Sequence, residues 1–401
     1  MRLLASTQAH ANQANTEQRA RTTVTDTGMI RVGVLFSETG ITSAIESSQL
    51  NGTLFAIQEI NDAGGIGGRE LVPIRYDPAS DPSRYRTCAE RLILTDDVQV
   101  IFGCYMSSAR KAVLPLVERW NRLLFYATLY EGFEYSENVI YTGAAPNQNS
   151  VQLADFMTSR FGARVYMVGS NYIYPYESNR IMSDLVSQYR GGVKVGERYV
   201  RLDAAEDDFT EIVADIRKIR PDFVFSTVVG NSTQHFYRAY ARAGLDPASI
   251  PIASLTTSEV EVAQMGTDIA EGHYTAAPYF RSIDSPANQT CLERFTEKFG
   301  YGTTPNASWE AAYFQVHLFA RAMRVAGSAD TETLMPELLG SEFDAPQGCV
   351  TIDRSTHHTH LNPRIGRVNR EGQFDIVWEA AASVRPDPYL VTHTLGDWVV
   401  R

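Results

Sequence analysis

The chain has 401 residues, 44% hydrophobic and 21% charged, enough to bury cores in two lobes of roughly 150–200 residues each. A net charge of −11 argues against a general nucleic-acid binder, which needs a concentrated basic face. No stretch approaches the ~20 apolar residues of a membrane span, and four cysteines (Cys88, Cys104, Cys291 and Cys349) are too few for a disulfide framework.

Residues 1–29 are polar, with only Leu3 and Leu4 as adjacent large apolar side chains. A secretory signal needs an apolar run of about 7–15 residues. The expectation is therefore a disordered tail on a cytoplasmic protein, with Met29 as an alternative start just before the first strand. In that compartment Cys88 and Cys104 stay reduced; after export they are near enough in sequence to pair.

From Ile30 onward, apolar runs alternate with amphipathic stretches. IRVGVLFS (Ile30–Ser37) is rich in β-branched residues, as a strand buried on both faces requires. A helix after Thr42 ends at Gly64–Gly65. Leu71–Asp77, Val98–Gly103 and Arg122–Thr128 read as strands, separated by helices over Asp81–Leu94 and Ser107–Trp120. Short βαβ connections predict a parallel, doubly wound sheet.

The rhythm restarts after Pro146. Strands over Ala163–Ser170, Val193–Leu202, Asp222–Gly230 and Pro251–Thr257 alternate with helices over Asn149–Arg160, Tyr176–Tyr189, Phe209–Ile219 and Thr233–Ala243. HYTAAPYF (His273–Phe280) follows, then helices over Pro286–Phe299, Ala307–Ala326 and Thr331–Leu339. The strand CVTID (Cys349–Asp353) comes next, and a hairpin turning at Arg370–Gly372 closes the pattern. The fold class is α/β, with two doubly wound parallel-sheet lobes.

Ligands of doubly wound sheets sit outside the carboxyl ends of the strands. The segments there are SETG (37–40), CYMS (104–107), ATLYEG (127–132), SNYIYP (170–175), VVGNST (228–233) and SLTTSE (254–259). They are rich in Tyr, Ser, Thr and Asn and poor in charge, which suits a small neutral molecule with both donors and acceptors. Ser107 opens a helix, so it is a helix cap, a ligand contact, or both. Tyr172 and Tyr174 flank Ile173 at strand-like spacing, for packing between lobes or for stacking on a ligand.

Other motifs carry less. GGIGG (Gly64–Gly68) follows a helix, so it is a helix stop and not a nucleotide loop. HHTH (His357–His360) has no Cys or acidic partner at metal-ligand spacing. Cys104 lacks a local His to activate it, and His235 sits on a helix of the other lobe. No cofactor motif and no catalytic signature stands in the needed context, so a non-catalytic receptor is expected.

The stretches VGVLFSETG, DPASDPSRYRTCAE, GCYMSSARKAVLPLVER, YEGFEYS, APNQNS, SNYIYPYESN, DFVFSTVVG, PIASLTTSEVEVA and DAPQG run from Val32 to Gly348, within a resemblance that covers about Ile30 to Trp398. Through them the chain resembles the branched-chain amino acid/amide-binding group of type I periplasmic-binding-protein folds. It is most similar there to the amide-sensing negative regulators of aliphatic amidase operons, and less so to urea-transporter binding components. The resemblance implies three hinge crossovers, near Ala145–Asn147, Ala277–Tyr279 and Pro346–Gly348. Lobe 1 is then 30–146 plus 279–347, and lobe 2 is 147–278 plus 348–401.

The resemblance also implies a short aliphatic amide or urea held by Tyr105, Ser107, Tyr126, Thr128, Tyr172, Tyr174 and Thr256. It implies an RNA-binding antiterminator as the partner of a sensor, or an ABC permease if the chain is exported; a homo-oligomer is left open. The regulators carry Pro where Leu129 follows Thr128 here, which regains a backbone N–H and adds bulk to the pocket.

Overall fold

The computed structural model describes residues 28–391 apart from 189–190, 301 and 303. The predicted N-terminal tail lies, up to residue 27, outside the described residues.

The first sheet has the order β2-β1-β3-β4-β5. Its strands are β1 (Met29–Leu35), β2 (Glu70–Arg75), β3 (Val100–Gly103), β4 (Leu123–Tyr126) and β5 (Val139–Tyr141). All neighbouring pairs are parallel. Connecting helices are α1 (Ser43–Asp62), α2 (Pro82–Leu94) and α3 (Ser107–Arg119). Asp81 caps α2 by accepting from the Ser83 and Arg84 amides, with Pro82 pre-set for the first turn. Val32, Val34, Phe102 and Phe125 pack to one face with α1, while Leu35, Ile101 and Leu124 pack to the other with α2 and α3. Burial on both faces explains the continuous apolar runs.

The second sheet follows α4 (Ser150–Arg160). Five of its strands are parallel: β6 (Arg164–Ser170), β7 (Val193–Val200), β8 (Phe223–Thr227), β9 (Ile252–Ser254) and β10 (Tyr274–Ala277). Between them run α5 (Ile173–Gln188), α6 (Thr210–Ile219), α7 (Ser232–Arg242) and the short α8 (Glu259–Met265) and α9 (Thr267–Ala270).

The chain then returns to the first core with α10 (Pro286–Phe299), α11 (Ala307–Ala326) and α12 (Thr331–Leu338). Asn306 caps α11 through the Ser308 and Trp309 amides. A three-stranded sheet, β11 (Glu342–Ala345), β12 (Gly348–Ile352) and β13 (Thr359–His360), contributes Val350, Ile352 and Leu361 to that same core. Residues 348–361, assigned by sequence to the second lobe, thus pack with the first. The hairpin β14 (Arg364–Val368) and β15 (Phe374–Glu379) completes the second sheet, β14 antiparallel to β10.

Two further differences bear on the site. β5 is only three residues long, too short to stand out as a periodic run. Tyr172 and Tyr174 are not on an extended segment: α5 begins at Ile173, and Pro175 lies in its first turn, where a missing N–H costs nothing.

Candidate functional site

The carboxyl ends of the two sheets face each other across a cleft. The lobes touch beside it, where the Asn231 amide donates to the Ile41 carbonyl at 3.2 Å. Gly230 makes that approach possible. It has φ +63°, and a Cβ there would stand 2.5 Å from the Ile41 oxygen.

Within the cleft a small cavity is lined by Tyr105, Ser107, Thr128, Leu129, Tyr172, Tyr174, Val229 and Thr256. None of these eight is charged. Six of the seven residues expected at the site therefore meet around one space: Tyr105, Ser107 and Thr128 from the first lobe, Tyr172, Tyr174 and Thr256 from the second. Tyr126, the seventh, does not line it. Its hydroxyl donates to the Tyr105 carbonyl at 2.6 Å, holding the loop after β3 from beneath.

That loop is strained. Cys104 has φ +71°, a left-handed conformation uncommon for a side-chain-bearing residue. The turn aims the Cys104 carbonyl at Thr128, whose hydroxyl donates to it at 3.3 Å and accepts from Gln49 Nε2 at 2.9 Å. Cys104 is fully buried, and burial pushes its thiol well above the ordinary value. A thiol so held is a poor nucleophile. All four cysteines are free.

Beneath the first-lobe wall lies a charge network that sequence reasoning missed. Arg110, one turn into α3 from Ser107, is fully buried. Its guanidinium pairs with Glu131 at 3.1 Å and Glu134 at 2.7 Å, and lies over the rings of Tyr126 and Tyr130 at 4.6 and 4.7 Å. Lys111 adds a further contact to Glu134. Burial would raise the Glu134 carboxyl, but the Arg110 charge and hydrogen bond, helped by Lys111, bring it down to about 2.

Ser107 ties this network to the cavity. Its hydroxyl donates to Glu131 Oε2 at 2.5 Å and accepts from Arg110 Nη1 at 3.3 Å. The proton being committed to the carboxylate, what Ser107 offers the cavity is a lone pair. The second-lobe wall is built differently. The Thr256 hydroxyl donates to the Val228 carbonyl at 2.9 Å, whereas the buried Tyr174 hydroxyl makes no hydrogen bond of good geometry, with Ser178 as a polar neighbour. A buried donor left unpaired is costly unless something in the cavity meets it.

HHTH reads as packing. His358 stacks on Tyr141 with ring centroids 4.2 Å apart, and burial lowers its basicity to about 3. Among the described residues no helix is long and apolar enough to cross a membrane.

A family model described as "Periplasmic binding protein domain" matches residues 30–395. A leucine-, isoleucine-, valine-, threonine- and alanine-binding protein of Pseudomonas aeruginosa is 23% identical over 333 residues, 81% of this chain and 86% of that protein. A limonene hydroxylase of Geobacillus stearothermophilus is 32% identical, but over 133 residues only, 33% of this chain and 24% of that protein. An ABC-transporter solute-binding protein of Rhodopseudomonas palustris, solved with 3,4-dihydroxybenzoic acid, superposes with a TM-score of 0.80 at 22% identity, over 90% of this chain and 99% of that one. The family match overturns the cytoplasmic expectation, which rested on residues outside the described part of the chain.

Proposed function

The chain belongs to the periplasmic binding protein family, and on that premise we propose that it is the periplasmic solute-binding component of an ABC importer for a small neutral amide, urea included. The observation that carries this reading is the hydroxyl-lined, charge-free cavity between the lobes. An amino acid would bring a carboxylate and an ammonium into this space, and buried charges need charged or strongly hydrogen-bonding partners. An amide brings one carbonyl acceptor and one NH2 donor. Ser107, its own proton held by Glu131, accepts from the amide N–H, and the poorly satisfied Tyr174 hydroxyl donates to the carbonyl. Tyr105 and Tyr172 supply flat walls.

Since both lobes line the cavity, ligand contacts are complete only when the lobes meet. Ligand therefore shifts the open–closed balance by its differential affinity for the closed form. We place the first two crossovers at 142–149 and 277–281, and the third at 361–364, between the small sheet and β14. One structural neighbour named above is the solute-binding protein of an ABC transporter and one relative is a binding protein for five amino acids, which favours an importer role over control of amidase expression through an antiterminator.

A thermal-shift panel of acetamide, propionamide, butyramide, urea and leucine tests the reading. Stabilisation by the amides or urea is expected. Stabilisation by leucine alone would sink it.

A further inference from the structure

Behind the polar cavity, toward the crossovers, lies a second chamber, larger than the first and with room for a few water molecules. Tyr105, Leu129 and Thr256 line both spaces, so the two are neighbours across a thin partition. The character of the second is different. Ala127, Ala144, Ala276, Ala277, Ala307 and Ala311 face it, drawn from strand ends of both sheets and the first turns of α11. Leu255 and Phe280 add larger apolar surface, so the lining is mostly apolar, although Thr142, Asn149, Thr257, Thr275 and Ser308 also contribute to it.

Protein interiors are packed to the density of organic crystals, and voids larger than a water molecule are few. Here five of the six alanines are nearly fully buried, and each is small enough to leave the space unfilled. The walls come from both lobes, so the void forms only as the lobes meet, and closing over an empty apolar void is unfavourable. The side chain between the chambers is Leu129, half-buried and packed against the cores of both lobes. The carboxylate at the chamber's edge, Glu259, accepts the Arg281 amide at 2.8 Å and is raised by burial to about 7, so it presents less than a full charge.

We infer that this rear chamber is a subsite for the aliphatic tail of the ligand, and that Leu129 sets the length of tail accepted. The inference rests on the amide reading for the head group but not for the tail. The ligand is then an aliphatic amide of several carbons in preference to urea or acetamide. Its head lies among the hydroxyls of Ser107 and Tyr174, and its chain passes Leu129 into the alanine-lined space.

The test is calorimetric binding of the wild type, Leu129→Ala and Ala311→Leu to two series of equal tail length, acetamide to hexanamide and ethanol to hexanol. In the wild type, affinity should rise about fourfold per methylene until the tail meets Leu129. Leu129→Ala should carry the rise on to hexanamide, at least ~tenfold above the wild type for that ligand. Ala311→Leu, which fills the chamber, should flatten the rise. If amides bind but all three proteins show one and the same length profile, the tail subsite is wrong and the amide reading stands. If alcohols show the Leu129-dependent rise while amides do not bind, the head-group reading fails and the chamber stands. No length dependence in either series overturns the chamber outright.

Discussion

The two walls of the polar cavity are held by different physics. On the first lobe, Ser107 rests on a closed network of Arg110, Glu131, Glu134 and two tyrosine rings, in which every charge has a partner. On the second, Thr256 is tied by neutral hydrogen bonds to the Val228 carbonyl and the Ser254 hydroxyl, and the buried Tyr174 hydroxyl makes no hydrogen bond of good geometry. The first wall is pre-organised at the expense of burying charge; the second is completed by what enters. A receptor that must shut only over its ligand gains from this asymmetry. The rigid wall sets the geometry, and the unsatisfied wall makes closure without ligand unfavourable.

The sharpest way to break the comparison is to remove the buried cation. Arg110→Met leaves two carboxylates in the interior without their counter-charge and should cost about 3–5 kcal/mol of stability, read by denaturant unfolding. A loss below about 1 kcal/mol would mean the network supports nothing.

The walls should also separate by pH. Glu134 titrates near 2 in the folded protein, below its ordinary 4.5. Its contribution is therefore present above pH 4.5 and lost as pH falls toward 2. Glu259, on the second lobe, is pushed by burial up to about 7. Its contribution is present below pH 4.5 and lost as pH rises through 7. Glu259→Gln should therefore flatten the alkaline side of the stability profile, by about 1–3 kcal/mol at pH 8, and leave the acid side alone. A variant whose alkaline limb matches the wild type would show that Glu259 titrates normally.

Ser107→Ala comes next. It deprives Glu131 Oε2 of its donor inside the protein, so the ligand-free form should lose about 1–3 kcal/mol, together with at least ~tenfold in affinity for butyramide. Gly230→Ala has a smaller effect on folding, about 1 kcal/mol for the left-handed backbone. Its main effect should be on closure, since the added methyl meets the Ile41 carbonyl. Affinity should fall about tenfold or more, and small-angle scattering with ligand should show a more open particle than the wild type gives.

How much of this was legible in sequence follows from the same division. The sheets were legible because strands buried on both faces leave unbroken apolar runs, as in Val32–Phe36. The hydroxyl residues of the cavity were legible because doubly wound sheets put ligands beyond their strand ends, so the residues after β3, β4, β6 and β9 selected themselves. Arg110, Glu131 and Glu134 were not. In sequence they look like ordinary charges on a helix and a loop, and only the packing shows the arginine to be fully buried. Tyr126 came from the family resemblance alone and does not line the cavity. A tyrosine at a strand end can point its hydroxyl into the cleft or bond the loop beside it, and local pattern does not distinguish the two. Of the small sheet only β12 was read, from CVTID; β11, with Glu342 and Asp344, lacks the apolar signature that marks a strand.

The smallest effect is the one that most directly tests the unsatisfied wall. Tyr174→Phe removes one oxygen that makes no hydrogen bond of good geometry within the protein. Deleting an unpaired buried hydroxyl relieves a desolvation cost, so the ligand-free protein should be unchanged or more stable by up to about 1 kcal/mol. Amide affinity should still fall, by about three- to tenfold, because the bond lost is one made only with ligand. Set beside Ser107→Ala, the two variants weaken binding alike but move stability in opposite directions. If Tyr174→Phe destabilises the ligand-free protein as much as Ser107→Ala does, the hydroxyl is already bonded without ligand, and the two walls are built the same way after all.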